Sequence, residues 1–121
     1  MKQLLPKVAE RLHPFKDAAL RLQVPSFPIP AGEVDEDNKI TQAWLWPRVS
    51  EFFKPKDVLV AETGTSSFAI LDIPFPEQTL FLAQILWGSI GWTVGSTLGA
   101  ALAAKEAELG RTILFIGDGS L

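Results

Sequence analysis

The fold class of this chain is decided by residues 57–67, which read DVLVAETGTSS. The short β-branched run at 57–62 predicts a strand that is buried on both faces, as the strands of parallel sheets are. The small polar residues at 63–67 predict a turn at the end of that strand, followed by a short helix from about Ser66 to Leu71. A buried strand, a tight turn and a helix in succession indicate an α/β protein.

Two further strands are predicted downstream, at 79–84 and 112–116. Between them the segment LWGSIG (86–91) is expected to open a helix that reaches about Ala104. The segment GDGSL (117–121) follows the third strand. Because strands alternate with helices over short links, the sequence predicts an open parallel sheet with helices on both faces.

Residues 1–39 divide into a helical segment and a linker. Leucine and valine at helical spacing predict an amphipathic helix within 1–22, with a transit peptide as the alternative because basic residues outnumber acidic ones there. Prolines and closely spaced acidic residues predict a solvated linker over 23–39. An acidic metal-binding loop is the alternative there, but the segment lacks the ligand spacing of an EF-hand. The folded domain is therefore predicted to span 40–121.

The first helix of that domain is predicted between Thr41 and about Phe53. The Thr41 side chain is of the type that caps a helix N-terminus. Pro47 lies inside the span and predicts either a kink or a later start, since proline lacks the backbone donor that a helix interior needs.

Composition excludes several classes of function. The 121 residues are 47% hydrophobic, which excludes wholesale disorder, and the formal net charge of −3 gives no electrostatic basis for binding nucleic acid. The chain has no cysteine, so disulfides and thiolate sites are excluded, and this fits the reducing environment of the cytoplasm. A single histidine also argues against a histidine-rich metal centre or a Ser/His/Asp triad.

The uncharged stretch from Gln78 to Ala104 raises the alternative of a membrane span. Gly91, Gly95 and Gly99 are spaced by four, as in the small-residue faces of transmembrane helices. Scattered polar side chains and the break at 87–89 instead favour a strand followed by a helix. No membrane association is therefore predicted.

The ends of the three predicted strands are the candidate binding site, since ligands of open α/β sheets bind at the carboxyl edge. Segments 63–67, 87–91 and 117–120 each combine glycine with hydroxyl side chains, which suits an anion. Asp118 adds a carboxylate next to that anion, and a divalent cation between the two explains this combination best. The pattern predicts a pocket for a Mg²⁺–diphosphate group, and it matches neither a P-loop nor a G-x-G-x-x-G motif.

Each of these signals also has a purely structural interpretation. Asp118 could cap a following helix, and Thr63 and Thr65 could bond to their own backbone in a turn. Glu62 is interpreted as a surface residue at the end of the strand. The tryptophans are interpreted as core residues: Trp44, Trp46, Trp87 and Trp92.

Three motifs, in their order and spacing, resemble the fungal pyruvate decarboxylases, a family that depends on thiamine diphosphate. They are ETGTS (62–66), LWGSIG (86–91) and ILFIGDGSL (113–121). The resemblance covers residues 40–121 well and 1–39 loosely. The WGSIG segment is more similar to the pyruvate and indolepyruvate branch than to acetolactate synthases.

The resemblance implies a role for particular residues. Asp118 would bind Mg²⁺, Thr65 would reach the diphosphate, and no catalytic residue is implied within the chain. The Gly88 carbonyl would accept a hydrogen bond from the aminopyrimidine, and Ile90 would be the apolar wedge that bends the cofactor. The complete set of implied cofactor-binding residues is Thr65, Gly88, Ser89, Ile90, Gly119 and Ser120.

The resemblance also implies an activity and an architecture. The parent enzyme would convert a small 2-oxo acid, pyruvate, to acetaldehyde and carbon dioxide, and would be a homo-oligomer. Residues 1–22 would be the tail of a preceding domain and 40–121 part of the C-terminal cofactor-binding domain, so the chain is interpreted as a fragment that is inactive alone. The alternatives are a fragment of an indolepyruvate or phenylpyruvate decarboxylase, a silent product that acts only by subunit association, and a single-span membrane protein.

Overall fold

A computed structural model of the chain describes residues 4–12, 21 and 39–121. The helices, in chain order, are α1 (Leu4–Leu12), α2 (Gln42–Phe52), α3 (Thr65–Ile70) and α4 (Thr93–Glu106). The strands are β1 (Val58–Ala61), β2 (Leu80–Leu82) and β3 (Thr112–Phe115), and a 3-10 turn follows at Asp118–Ser120. Each predicted strand is present and shorter than predicted by one or more residues at its ends.

The strands form an open parallel sheet in the order β2-β1-β3. The central strand β1 sets the register, with Leu59 opposite Phe81 on one side and Ile113 on the other. All residues of β1 are buried, as the apolar run predicted. The sheet and the helices on its two faces confirm the predicted α/β class.

One face of the sheet carries the main apolar core. Leu59 and Ala61, which point to the same side of β1, are fully buried there against Phe53 and Ile70. The Phe53 ring meets the Phe115 ring edge-on at 5.9 Å between centroids. Helices α2 and α3 contribute to this core, and its partly buried members are Trp46, Val49, Phe75, Phe81, Ile113 and Phe115.

Helix α4 packs on β1 and β3 from the opposite face. Thr93, its first residue, and Ala104, near its last turn, are the buried positions of α4. Small residues at these positions let the helix backbone lie close to the sheet. The placement of α4 brings its N-terminus to the carboxyl edge of the strands.

The amino edge of the sheet is held by an ion pair. Asp57 is 1% exposed and lies 2.6 Å from the Arg111 guanidinium, which also donates to the Phe52 carbonyl at 2.8 Å. Gly110 packs tightly beside this pair, since a Cβ there would lie 2.9 Å from the Lys56 carbonyl oxygen. This edge is a structural clamp at the end opposite the candidate binding site.

Helix α2 begins where the cap predicted it. The Thr41 hydroxyl accepts a hydrogen bond from the Trp44 N–H at 3.2 Å, and the helix starts at Gln42. The prediction that this helix starts late, at Pro47, is therefore wrong, because the helix contains Pro47 in its interior. The Ser50 hydroxyl donates to the Pro47 carbonyl at 2.6 Å one turn later.

The uncharged stretch from Gln78 to Ala104 is divided between β2 and most of α4 rather than forming one helix. No helix in the described part of the chain has the length and apolarity needed to cross a bilayer. In the N-terminal region the predicted helix is present as α1, whose residues are all exposed. Apart from Lys39, the predicted linker over 23–39 lies outside the described residues.

Candidate functional site

The segments that follow the three strands meet at the carboxyl edge of the sheet, as expected for parallel strands. The Thr63 hydroxyl, just after β1, donates to the Ser89 carbonyl at 3.3 Å. Gly91 lies next to the turn after β3, since a Cβ placed on it would be 4.0 Å from the Ser120 carbonyl oxygen. The structure therefore brings 62–64, 88–91 and 118–120 into one region.

Glu62 forms the centre of this region. It continues β1 by donating its N–H to the Phe115 carbonyl at 2.8 Å, and it is 1% exposed. One carboxylate oxygen accepts from the Thr63 N–H at 2.9 Å, while the other accepts from the Thr93 hydroxyl at 2.6 Å and the Gly91 N–H at 3.2 Å. One buried side chain thus joins the end of β1 to the start of α4.

The hydrogen bonds to Glu62 keep its carboxyl group ionised. Burial raises the pKa of Glu62, but the bonds donated by Thr93, Thr63 and Gly91 together outweigh burial and hold that pKa below the ordinary value of 4.5. Because Glu62 is buried, its interpretation as a surface residue is wrong. The sequence signal that could have revealed its burial is its position, in register, directly after a strand that is buried on both faces.

The loop 88–91 has an unusual backbone that glycine permits. Gly88 and Gly91 have φ values of +55° and +88°, in the left-handed region that other residues rarely adopt. Between them the Ser89 N–H donates to the Gln84 side-chain carbonyl at 2.9 Å. Gly88 also lies close to β1, since a Cβ on it would be 3.6 Å from the Thr63 methyl group.

Large apolar side chains near this loop are exposed. Ile90, the predicted wedge, is 69% exposed and Trp87 is 86% exposed. The interpretation of all four tryptophans as core residues is wrong for Trp87. A side chain this apolar and this exposed is available to contact a ligand or another surface.

The turn at Asp118–Ser120 supplies the carboxylate of the region. Asp118 is exposed, and its side chain accepts a hydrogen bond from the Gly119 N–H at 2.9 Å. The Ser120 N–H donates to the Gly117 carbonyl at 3.0 Å, which closes the turn. Asp118 is thus the first residue of the 3-10 turn, and Gly117 occupies the capping position.

The donor set of the region fits a Mg²⁺–diphosphate group. Within the part of the chain that the structure describes, no three acidic, histidine or cysteine side chains cluster as a metal site. One or two carboxylates are nevertheless the usual protein contribution to a Mg²⁺ site, in which waters and phosphate oxygens are the other ligands. Cβ atoms on Gly117 and Gly119 would meet nothing within 4 Å, so there is room beside Asp118.

Thr65 and a small cavity complete the edge. Thr65 is the first residue of α3 and is exposed. A cavity of about 300 Å³ lies between α3 and the segment after β2, and Thr63, Ser67, Phe68 and Gly88 are among its lining residues. Its walls combine hydroxyl groups with apolar surface, which is the composition of many small-molecule sites. The individual ligand roles of the residues at this edge stay predictions.

The fold and the residues at this edge together define a class of protein. The chain is an α/β protein with an open parallel sheet, whose loops gather glycines, hydroxyl groups and one exposed carboxylate at the carboxyl ends of the strands. No family model matches the chain.

The chain is similar to several curated proteins that share one name. It is 47% identical to a pyruvate decarboxylase of Aspergillus terreus, 46% to one of Kluyveromyces lactis and 42% to pyruvate decarboxylase isozyme 1 of Saccharomyces cerevisiae, in each case over 100% of this chain. Along its whole length, the chain is similar in sequence to one stretch of the fungal pyruvate decarboxylases. It spans 21% of the length of each of these relatives.

Proposed function

We propose that this chain forms the diphosphate- and Mg²⁺-binding side of the thiamine diphosphate site in a pyruvate decarboxylase, which converts pyruvate to acetaldehyde and carbon dioxide. The observation that supports this proposal best is the meeting of the three segments after the strands at one edge of the sheet. Those segments carry the motifs that resemble the family, and the relatives named as pyruvate decarboxylases are similar along the whole chain.

The residues at this edge have the chemistry that the cofactor requires. Asp118 supplies a hard oxygen ligand for Mg²⁺, and Thr65 and Ser120 supply hydroxyl groups for the diphosphate. Gly119, whose N–H donates to Asp118, leaves open space beside them for the diphosphate. Thiamine diphosphate, when bound, supplies an electron sink for the loss of carbon dioxide.

The segment 88–91 is suited to the ring end of the cofactor. Gly88 offers a backbone carbonyl to the aminopyrimidine, with Ser89 beside it, and the exposed Ile90 offers an apolar surface. A branched side chain that displaces water there would strengthen the electrostatic interactions of the site. The parent enzyme would take a small 2-oxo acid, assemble as a homo-oligomer and work in the cytoplasm.

A chimera tests this function in the context of a complete enzyme. The matched segment of the Kluyveromyces lactis relative is replaced by residues 1–121 of this chain, and acetaldehyde release is measured against Mg²⁺ and thiamine diphosphate. We expect turnover that depends on both. Asp118→Asn should weaken the apparent affinity for Mg²⁺ by at least about tenfold.

The matched control is Asp72→Asn, which changes an exposed aspartate just after α3, away from the strand exits. This variant should retain the Mg²⁺ dependence of the unmodified chimera. A chimera that assembles like the relative but binds no thiamine diphosphate would contradict the proposal. Equal effects of Asp118→Asn and Asp72→Asn on the affinity for Mg²⁺ would contradict the assignment of Asp118 as the metal ligand.

A further inference from the structure

Two buried carboxylates lie at the two ends of β1, and different kinds of group compensate their charges. Asp57 and Glu62 are each 1% exposed. Asp57 has the Arg111 guanidinium as its counter-ion. Glu62 instead accepts hydrogen bonds from neutral groups, namely two backbone N–H groups and the Thr93 hydroxyl. Because a buried charge is tolerated only when it is well hydrogen-bonded, the donors around Glu62 are tightly constrained.

Glu62, at the end of β1, also stabilises the N-terminus of α4. The capping residue, Trp92, makes no side-chain cap, and the first turn of α4 contains no acidic residue. The Glu62 carboxylate, 31 residues earlier in the chain, accepts from the Thr93 hydroxyl at this helix start. Its negative charge lies where the partial positive charge of the helix dipole favours it.

The same carboxylate holds the loop 88–91. Three side-chain hydrogen bonds tie this loop to its surroundings: Gly91 to Glu62, Ser89 to Thr63, and Ser89 to Gln84. The two bonds of Ser89 are exposed to water, whereas the bond to Glu62 is part-buried and involves a charged acceptor. Charge-assisted bonds shielded from water are the stronger kind, so Glu62 contributes most to fixing this loop.

We propose that Glu62 is a positioning residue that fixes the loop 88–91. Its carboxylate accepts hydrogen bonds from Thr63 at the end of β1 and from Gly91 and Thr93 at the start of α4. These bonds hold the loop in the conformation that presents Gly88 and Ile90 to the cofactor. The cofactor part of this inference rests on the proposed function. The fixing of the loop does not, and it can be tested in the chain without a ligand.

The first experiment is amide hydrogen exchange of the 121-residue chain and its Glu62→Gln variant. Glutamine keeps the size of the side chain but replaces one acceptor oxygen with a donor that faces another N–H or hydroxyl group. Exchange of the Gly91 amide should accelerate by about tenfold relative to that of the Val60 amide in the same variant. The matched control, Asp57→Asn, changes the equally buried carboxylate at the other end of β1 and should not raise this ratio.

A second pair of variants keeps the test decisive if Glu62→Gln fails to fold. Thr93→Val removes the hydroxyl donor while preserving the shape of the side chain, and Thr93→Ser retains the donor. Loop exchange should accelerate in Thr93→Val and return to the wild-type rate in Thr93→Ser. The inference is overturned if the foldable variants leave the ratio of Gly91 to Val60 exchange unchanged, or if Asp57→Asn raises that ratio as much as Glu62→Gln.

The chimera then measures the consequence for the cofactor. Glu62→Gln should raise the apparent Kd for thiamine diphosphate by about tenfold, whereas Asp57→Asn should not. If the unmodified chimera binds no cofactor, the proposed function fails while the exchange result still decides the role of Glu62 in the loop. If the exchange ratio changes as expected but the Kd of Glu62→Gln equals that of the unmodified chimera, the positioning role toward the cofactor is overturned.

Discussion

At the residue scale, β1 has a buried carboxylate at each end, Asp57 at the amino edge of the sheet and Glu62 at the candidate site. Burial raises the pKa of Asp57, but hydrogen bonds from Arg111 and from the Lys54 N–H outweigh this effect and hold the pKa below its ordinary value of 3.8. In turn, the bond to Asp57 raises the pKa of Arg111. Asp57 therefore holds the amino edge, whereas Glu62 holds the carboxyl edge without a cation.

Removing the charge at the amino edge should destabilise the whole sheet. Asp57→Ala leaves the partly exposed Arg111 guanidinium and two backbone N–H groups without their acceptor, and we expect a loss of about 1–3 kcal/mol in the free energy of unfolding, mainly from the unpaired N–H groups. Urea denaturation followed by circular dichroism measures this loss. Asp72→Ala, at an exposed position, should change the free energy by less than about 0.5 kcal/mol, and an equal effect of the two would contradict the assignment.

The lowered pKa values of Glu62 and Asp57 predict a stability that depends on acid pH. Because both pKa values are lower in the folded chain than in the unfolded chain, the unfolded chain binds more protons in this range. Their contribution is complete above the ordinary values of 4.5 and 3.8, and it is lost as the pH falls through these values to the folded ones. Denaturation at a series of pH values should therefore show a weaker acid dependence for Glu62→Gln than for wild type. Parallel curves would show that Glu62 does not contribute.

At the scale of elements, Gly110 and Gly99 differ in whether the surrounding structure requires a glycine. Gly110, between α4 and β3, lies where a Cβ would be 2.9 Å from the Lys56 carbonyl oxygen and 3.0 Å from an Asp57 carboxylate oxygen. Gly99, within α4, would place its Cβ in open space. One glycine is required by close packing of the backbone, and the other leaves a helix face bare.

Alanine at these two glycines should therefore have effects of opposite sign. Gly110→Ala forces the turn before β3 away from β1, and we expect a destabilisation of about 1–3 kcal/mol. Gly99→Ala should stabilise the chain by about 0.5–1 kcal/mol, because alanine favours the helix and meets no atom. Thermal unfolding of both variants measures these shifts, and a gain in stability from Gly110→Ala would show that the amino edge is not tightly packed.

At the scale of the whole molecule, much apolar surface lies outside the core. The outer face of α4 exposes Val94, Leu98 and Leu102, and the segment after β2 exposes Ile85 and Leu86. The candidate site at the carboxyl edge is equally open, since both Asp118 and Ile90 are exposed. Water therefore reaches every group that would have to act on a bound cofactor, which weakens their electrostatic effect.

This open edge predicts that the 121-residue chain alone has no decarboxylase activity. We expect no acetaldehyde release above that of a blank containing thiamine diphosphate and Mg²⁺, and no saturable binding in the micromolar range by calorimetry. The physical reason is that one exposed carboxylate and a few exposed N–H and hydroxyl groups compete with water for the diphosphate. The active chimera is the positive control, and turnover by the isolated chain would contradict this prediction.

Much of the fold was determined by the sequence alone, because it follows from local patterns. The apolar run of β1, the Thr41 cap and the alternation of strands with helices each depend on residues close together in the chain, and each prediction is confirmed. The grouping of the three segments after the strands at one edge also follows from local information, since parallel strands must end together.

The burial of Glu62 and the exposure of Trp87 instead depend on contacts between segments that are distant in the chain. Glu62 is buried because the start of α4, far along the chain, brings donors to it, and no local pattern records that approach. Trp87 is exposed because the loop carrying it extends from the edge strand β2, a position set by the strand order β2-β1-β3. Local sequence determines which side chains are apolar or charged, whereas contacts between distant segments determine which of them water reaches.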